Sequence, residues 1–148
     1  MVIGIHWIID MCSAVRFDFD GRRFEYRFTQ YQARLPLLLK NGHCSLVPWG
    51  RRRNETGSAP FGASVRLASI QAGRWDALQP KPVKIAVHGF METDVMGHEH
   101  WFQEMPGQYI QGMLTQQRNL LRVYTVQLDC NGEDTFFQNW PRIVNSPF

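Results

Sequence analysis

Apolar residues alternate through the segment from Ala14 to Phe28, first as Val15, Phe17 and Phe19 and then as Phe24, Tyr26 and Phe28, with Asp20-Gly21 between the two runs. Alternate side chains of a strand face one side, and Asp-Gly tolerates the positive φ of a tight turn. The segment therefore predicts a β-hairpin with one apolar face. Further strands are expected at Cys44 to Trp49, meeting a loop at Pro48, and at Val83 to Phe90. Three more are expected at His100 to Phe102, Tyr109 to Leu114 and Leu120 to Leu128, punctuated by Gly97, Pro106-Gly107 and Gln116 to Asn119.

Between these runs the pattern is weaker. Thr29 to Lys40 is ambiguous: a short helix could start near Thr29, but Pro36 lacks the amide proton that a helix interior needs. Arg51 to Gly62 reads as a polar loop, and Ala63 to Leu78 as a short strand followed by a helical turn that Pro80 and Pro82 end. The tail from Cys130 to Phe148, with Pro141 and Pro147, reads as irregular. Several antiparallel strands with few helical periods define an α+β, mainly β domain.

A chain of 148 residues has room for one domain and a sizeable core. Its hydrophobic fraction of 44% and aromatic fraction of 13% are globular values, with no repeat or low-complexity tract. A net charge of +3 is compatible with a polyanionic partner without requiring one. Cys12, Cys44 and Cys130 lack the spacing of a zinc site or a disulfide framework, so a reducing cytoplasm is the simplest setting. The apolar stretch MVIGIHWIID is too short to span a membrane and lacks the basic start and cleavage site of a secretory signal. It is followed by a second methionine, Met11, and then Cys12. Residues 1–10 are thus an extension or precede the true start, and residues 11–148 form the domain.

Four elements, in order, resemble the SOS-response-associated peptidase (SRAP) family. Met11-Cys12-Ser13 is similar to that family's Met-Cys start, and Leu46-Val47-Pro48-Trp49 to its Leu-Val-Pro-x-Trp segment. His88-Gly89-Phe90-Met91-Glu92 is similar to its Asp-Gly-Phe-Tyr-Glu motif, and Trp140-Pro141-Arg142-Ile143-Val144 to the strand after its His-Asp-Arg-Met-Pro motif. The resemblance spans Met11 to Val144. It implies a barrel-type sheet, covalent capture of abasic sites in single-stranded DNA, and self-processing that exposes Cys12.

That chemistry is intelligible from the residues. A terminal cysteine is a 1,2-aminothiol whose amine, with a pKa of about 7.7–8.0, is partly neutral at physiological pH, beside a thiol near about 8.5. The amine can condense with the aldehyde of a ring-opened abasic sugar, and the thiol can close on the same carbon to give a thiazolidine. Glu92 matches the family's catalytic glutamate and suits proton transfer if burial raises its pKa. Two departures stand out: the family's Asn-Ala-Arg segment falls on Gly62-Ala63-Ser64, unless Asn54 substitutes for the asparagine, and its histidine falls on Phe137 or Gln138. His88, which replaces the family's aspartate, is the candidate to supply the missing imidazole.

The nucleic-acid signal is Arg51-Arg52-Arg53 beside Trp49, with Asn54 following. Guanidiniums pair with phosphates, and an indole offers a face on which unpaired bases stack. Arg16, Arg22, Arg23 and Arg27 could extend the patch, although strand alternation divides them between faces. His98-Glu99-His100 would place two imidazoles on one strand face, but no third metal ligand is apparent, and neither a metal nor another cofactor is expected. Two other functions fit the same sequence: a single-strand binder that has lost the chemistry, and an unrelated β domain that docks a protein through exposed aromatics.

Overall fold

In the computed structural model, which describes residues 13–129, 136–137 and 139–145, the hairpin forms as the alternation dictates. Strands β1 (Ala14–Phe19) and β2 (Arg22–Arg27) join through Asp20 and Gly21, at φ 52° and 73°. Positive φ at both central residues is the twist-matched hairpin geometry. The register pairs Phe17 with Phe24, whose rings stack with centroids 5.3 Å apart.

On its other edge β1 pairs antiparallel with β7 (Gly89–Thr93), and β7 with β8 (Glu99–Gln103), completing a sheet of order β2-β1-β7-β8. The second sheet runs β11-β10-β9-β6-β3-β4. Its members are β3 (Arg34–Leu38), β4 (Cys44–Pro48), β6 (Lys81–Ile85), β9 (Gln108–Gln117), β10 (Leu120–Asp129) and β11 (Asn139–Pro141). Off this path, β12 (Ile143–Asn145) pairs with β9, and β5 (Ser64–Arg66) pairs with β10. The β5–β10 ladder is parallel, an exception to the antiparallel expectation. A single bridge from Trp49 to Val123 returns the end of β4 to β10, without a ladder that would close a barrel. Helical structure among the described residues is one short helix, α1 (Leu67–Gln71), and a 3-10 turn at Asp76–Leu78. No helix among them is long and apolar enough to cross a membrane.

Strand alternation decides what each face of β10 meets. Val123 joins the main core, which gathers Val15, Phe17, Leu35, Ile85, Phe90 and Ile110 from both sheets. Tyr124 and Val126 point the other way, where Leu67 and Ile70 of α1 and Trp75 cover them. Thr125 and Gln127 therefore share the face of Val123, and two polar side chains look inward.

Three expectations need correction. The run Val83 to Phe90 is not one strand: it crosses from β6 in the second sheet to β7 in the first, with Ile85, Val87 and Phe90 all entering the core on the way. Continuous apolar character reflected burial at the crossing, which periodicity alone cannot tell from a single buried strand. Thr29 to Lys40 forms turns and β3, not a helix, with Leu35 and Leu37 buried. Pro36 is tolerated because it faces β6, where its carbonyl accepts the Ala86 amide and the ladder is only one residue pair, so little is lost with the missing donor. The tail is also less irregular than expected: β11 and β12 add to β10 and β9, and the Arg142 amide between them donates to the Val126 carbonyl.

One glycine fixes the path out of β4. Gly50 has φ 55°, and a Cβ there would lie 2.1 Å from the Gly62 carbonyl oxygen. Only glycine fits this close approach.

Candidate functional site

Where the first strands of one sheet face β10 of the other, a narrow cleft with room for about one water molecule is lined by Ser13, Phe90 and Glu92 on one side and by Trp49, Thr125 and Gln127 on the other. Its geometry follows from register. Val15 pairs with Phe90, so the residues two positions along each strand, Ser13 and Glu92, lie on the same inward face. Gln127 reaches the pocket from the inward face of β10 and hydrogen-bonds the Glu92 side chain.

Burial drives the Glu92 carboxyl up, the hydrogen bond with Gln127 partly opposes it, and the outcome is a pKa of about 8. Glu92 is therefore mostly protonated at neutral pH. The Gln127 side chain is only 5% exposed and its Oε1 lacks a partner. Its Nε2 also lies 3.4 Å from Thr125 Oγ1. The pocket thus holds a proton donor and an open hydrogen-bond acceptor inside a wall that is apolar apart from Ser13 and Thr125.

Glu92 stands where the sequence suggested that a proton-transfer group would need to be, partly buried at a strand end. Cys12 lies outside the described residues; Ser13, to which it is bonded, is in the pocket wall. His88 is not in that wall. Its Nε2 lies 3.8 Å from Asp18 Oδ1, so it does not supply an imidazole beside Glu92. Of the two positions for the missing histidine, Gln138 lies outside the described residues, and Phe137 packs edge-on against Phe102 at 5.5 Å and beside Trp140 at 5.4 Å.

Trp49 corrects the expectation of a stacking face. It is 1% exposed, its indole N–H donates to the Ala63 carbonyl, and Phe28 packs against it edge-on. An indole so enclosed cannot receive a base. It is a pocket wall and a core residue. The arginines after it divide. Arg51 spans its own loop, donating from Nη1 to the Ala59 carbonyl at 2.6 Å and from Nε and Nη2 to the Glu55 carbonyl at 3.1 Å. Arg52 is held by Glu55 at 3.1 Å and lies over the Phe28 ring. Burial lowers the Arg52 pKa and Glu55 works against that shift. Two of the three guanidiniums therefore fold the loop. Arg53 and Asn54 are exposed, and Arg53 lies 5.4 Å from the centroid of the exposed Phe61 ring.

Three of the four hairpin arginines form ion pairs as well. Arg16 pairs with Glu25 at 2.6 Å, Arg23 with Asp18 at 3.3 Å and Arg27 with Glu99 at 2.7 Å. The segment Gly62-Ala63-Ser64, which lacks an asparagine side chain, contributes backbone: the Ala63 carbonyl accepts the Trp49 indole and the Thr125 amide. His98 and His100 both turn to Asp94, with His100 Nε2 2.7 Å and His98 Nδ1 3.6 Å from Oδ2. Among the described residues no group of three or more His, Cys, Asp or Glu is arranged to hold a metal ion.

Thr125 and Gln127 escaped the sequence reading because they sit within a run dominated by Leu120, Leu121, Val123 and Val126. The signal was present in the alternation of Val123, Thr125 and Gln127, which placed two polar side chains on a buried face. Comparison with family models, curated proteins and solved structures returns no match.

Proposed function

We propose that this chain is a short SRAP-like protein that captures abasic sites in single-stranded DNA through the amine and thiol of Cys12, with Glu92 as the proton donor. The observation that carries this reading is the placement of Ser13, the neighbour of Cys12, in one small pocket with a carboxyl that stays protonated to about pH 8. The amine adds to the aldehyde carbon, and the resulting hydroxyl leaves as water when Glu92 protonates it. The thiol then adds to the iminium carbon and releases its proton to solvent. A water-poor wall of Phe90, Ile110 and Pro141 keeps Glu92 in the form that step needs. The barrel-type arrangement belongs to the same proposal, supported by the return of β4 to β10 at Trp49 and Val123. So does a reducing cytoplasmic setting, in which Cys12 remains a thiol.

The test is a matched pair of single-stranded oligonucleotides, one with a natural abasic site and one whose aldehyde has been reduced to an alcohol. Protein beginning at Cys12 is expected to bind both and to gain mass covalently only with the first. Equal covalent products with both would mean that the aldehyde is not the target.

The arginine loop gives a separate prediction. Arg51→Ala is expected to lower the denaturation midpoint, since hydrogen bonds from a charged group contribute about 1.5–3 kcal/mol each. Arg53→Ala is expected to flatten the log affinity against log salt plot by about 0.7, the loss of one phosphate contact. A stable Arg51→Ala variant with the flatter slope would reverse the two assignments.

A further inference from the structure

The face of β10 that carries Tyr124 also carries Arg122 and Leu120, because side chains alternate along a strand. Their partners across the β9–β10 ladder, Met113, Thr115 and Gln117, share that face. Its cover thins towards the hairpin tip. Trp75 packs edge-on over Tyr124 at 5.2 Å, and the Arg122 guanidinium donates to the Gly50 carbonyl at 2.7 Å and the Thr56 carbonyl at 3.4 Å. Beyond Arg122 the face opens, and Leu120 is 41% exposed. There the hairpin tip and the arginine loop wall a cleft of about 830 Å³, with Ala77 of the 3-10 turn also in its lining. Gln117 Nε2 donates to Ser58 Oγ at 2.9 Å and ties the two walls together. No residue of this cleft also lines the Glu92 pocket.

The lining fixes the chemistry of an occupant. Thr56 and Ser58 offer hydroxyls, Gln116, Gln117 and Asn119 offer carboxamides, Arg118 offers a guanidinium, and no carboxylate is among them. Asp76, next to Ala77 in sequence, lies over Gly73 instead, where a Cβ would meet its Oδ2 at 3.0 Å. Gly57, between the two hydroxyl residues, leaves open space, with nothing within 4 Å of a Cβ position. Arg118 is the first of the two residues that join β9 to β10, and its φ is 55°. Glycine adopts that conformation readily and arginine does not. A residue held against its backbone preference points to a role for its side chain.

We infer that this cleft binds the phosphate ester of a small polar molecule, a sugar phosphate or a nucleotide, with Arg118, Thr56 and Ser58 meeting the phosphate. One guanidinium and two hydroxyls supply more donors than the two oxygens of a carboxylate use, and they suit the three free oxygens of a phosphate ester. Ser58 accepts from Gln117, so its own O–H remains to be donated. The carboxamides of Gln116 and Asn119 both donate and accept, which matches the hydroxyls of a sugar or the edge of a base. Pockets that enclose small ligands measure about 300–1,000 Å³, so the space suits a whole ester rather than a bare ion. This site is separate from abasic-site capture and requires neither Cys12 nor Glu92.

The test is backbone-amide NMR of the full chain titrated with ribose phosphate, thymidine monophosphate, free ribose, free thymidine and inorganic phosphate. At least one of the two esters is expected to shift the Gly57, Gln117, Arg118 and Asn119 amides to saturation, and the tighter of the two identifies the body that the carboxamides read. The unphosphorylated compounds and inorganic phosphate should leave these amides in place. Arg118→Gly keeps the turn, because glycine accepts a positive φ, and removes the guanidinium; it is expected to stay folded and to bind the ester about 10–100-fold more weakly. Lys40→Ala, on an exposed turn elsewhere, should leave the affinity as it was. Amides that neither ester shifts, an equal response to inorganic phosphate, or an Arg118→Gly chain that binds as tightly as the unaltered one would overturn the inference. Shifts at the cleft with single-stranded DNA alone would also overturn it and would make the cleft part of the DNA path. Each of these outcomes leaves covalent capture by Cys12 to be judged on its own test.

Discussion

Glu92→Gln should slow adduct formation on abasic single-stranded DNA by about 10²–10⁴-fold at neutral pH, the range that general acid catalysis typically supplies, while DNA affinity stays where it was. The amide keeps the size of the side chain and can still hydrogen-bond Gln127, but it has no proton to give to a leaving hydroxyl. The carboxyl titrates at about 8, so the acid form is lost as pH rises through that value. In the unaltered chain the rate should therefore fall on the alkaline side of about pH 8, and in the variant this limb should be absent. Single-turnover rates at saturating DNA from pH 6 to 9 measure it. Equal rates and superimposable profiles would remove Glu92 from the chemistry.

The same shift carries a stability prediction with a definite sign. In the unfolded chain Glu92 ionises near 4.5, whereas in the fold it holds its proton to about 8. Between those values the folded state binds the extra proton, so its stability falls as pH rises across the window. Glu92→Gln has no charge to bury and should melt higher than the unaltered chain above pH 8. Melting curves that stay parallel across this range would contradict a desolvated carboxyl.

The hairpin and the later strands were legible because their cause is local. Alternation in β1 and β2 and a two-residue Asp-Gly turn leave few alternatives, and β9 and β10 announce themselves in the same way. What the sequence could not convey was partnership across the chain. Nothing in VKIAVHGF reveals that its two halves join different sheets, because both halves are buried and both are apolar. Trp49 illustrates the same limit: tryptophan beside arginines suits a stacking platform, and only the fold shows Ala63 and Phe28 enclosing it. Arg51 and Arg52 suit phosphate binding in sequence, yet they spend their guanidiniums on Glu55, Ala59 and Phe28.

The site divides along similar lines. Glu92 could be singled out from its motif, and its burial follows from Phe90 and Met91 beside it. Its companion Gln127 could not, since it lies 35 positions away in the chain and meets Glu92 only when the two sheets face each other. His88 was the natural substitute for a missing histidine because it is close in sequence; the chain leaves it against Asp18 instead.

Intact mass decides whether Cys12 captures the abasic aldehyde. A chain whose first residue is Cys12 is expected to gain the mass of an abasic oligonucleotide, less one water, and to keep it through heating. A chain that retains residues 1–11 is expected to gain none, because the Cys12 nitrogen is then an amide whose lone pair is delocalised into the peptide carbonyl. Its thiol alone forms a hemithioacetal that reverses on heating. A Cys12→Ala chain beginning at the substituted residue separates amine from thiol: its terminal amine can form an imine, but the ring cannot close and the product should not survive heating. If the longer chain sheds residues 1–11 unaided, the same spectra will show that loss. A heat-stable adduct is expected on the Cys12-initiated chain and on neither control. A Cys12-initiated chain that binds abasic single-stranded DNA and leaves it at its original mass would contradict it, and the protein would then be a single-strand binder without the chemistry.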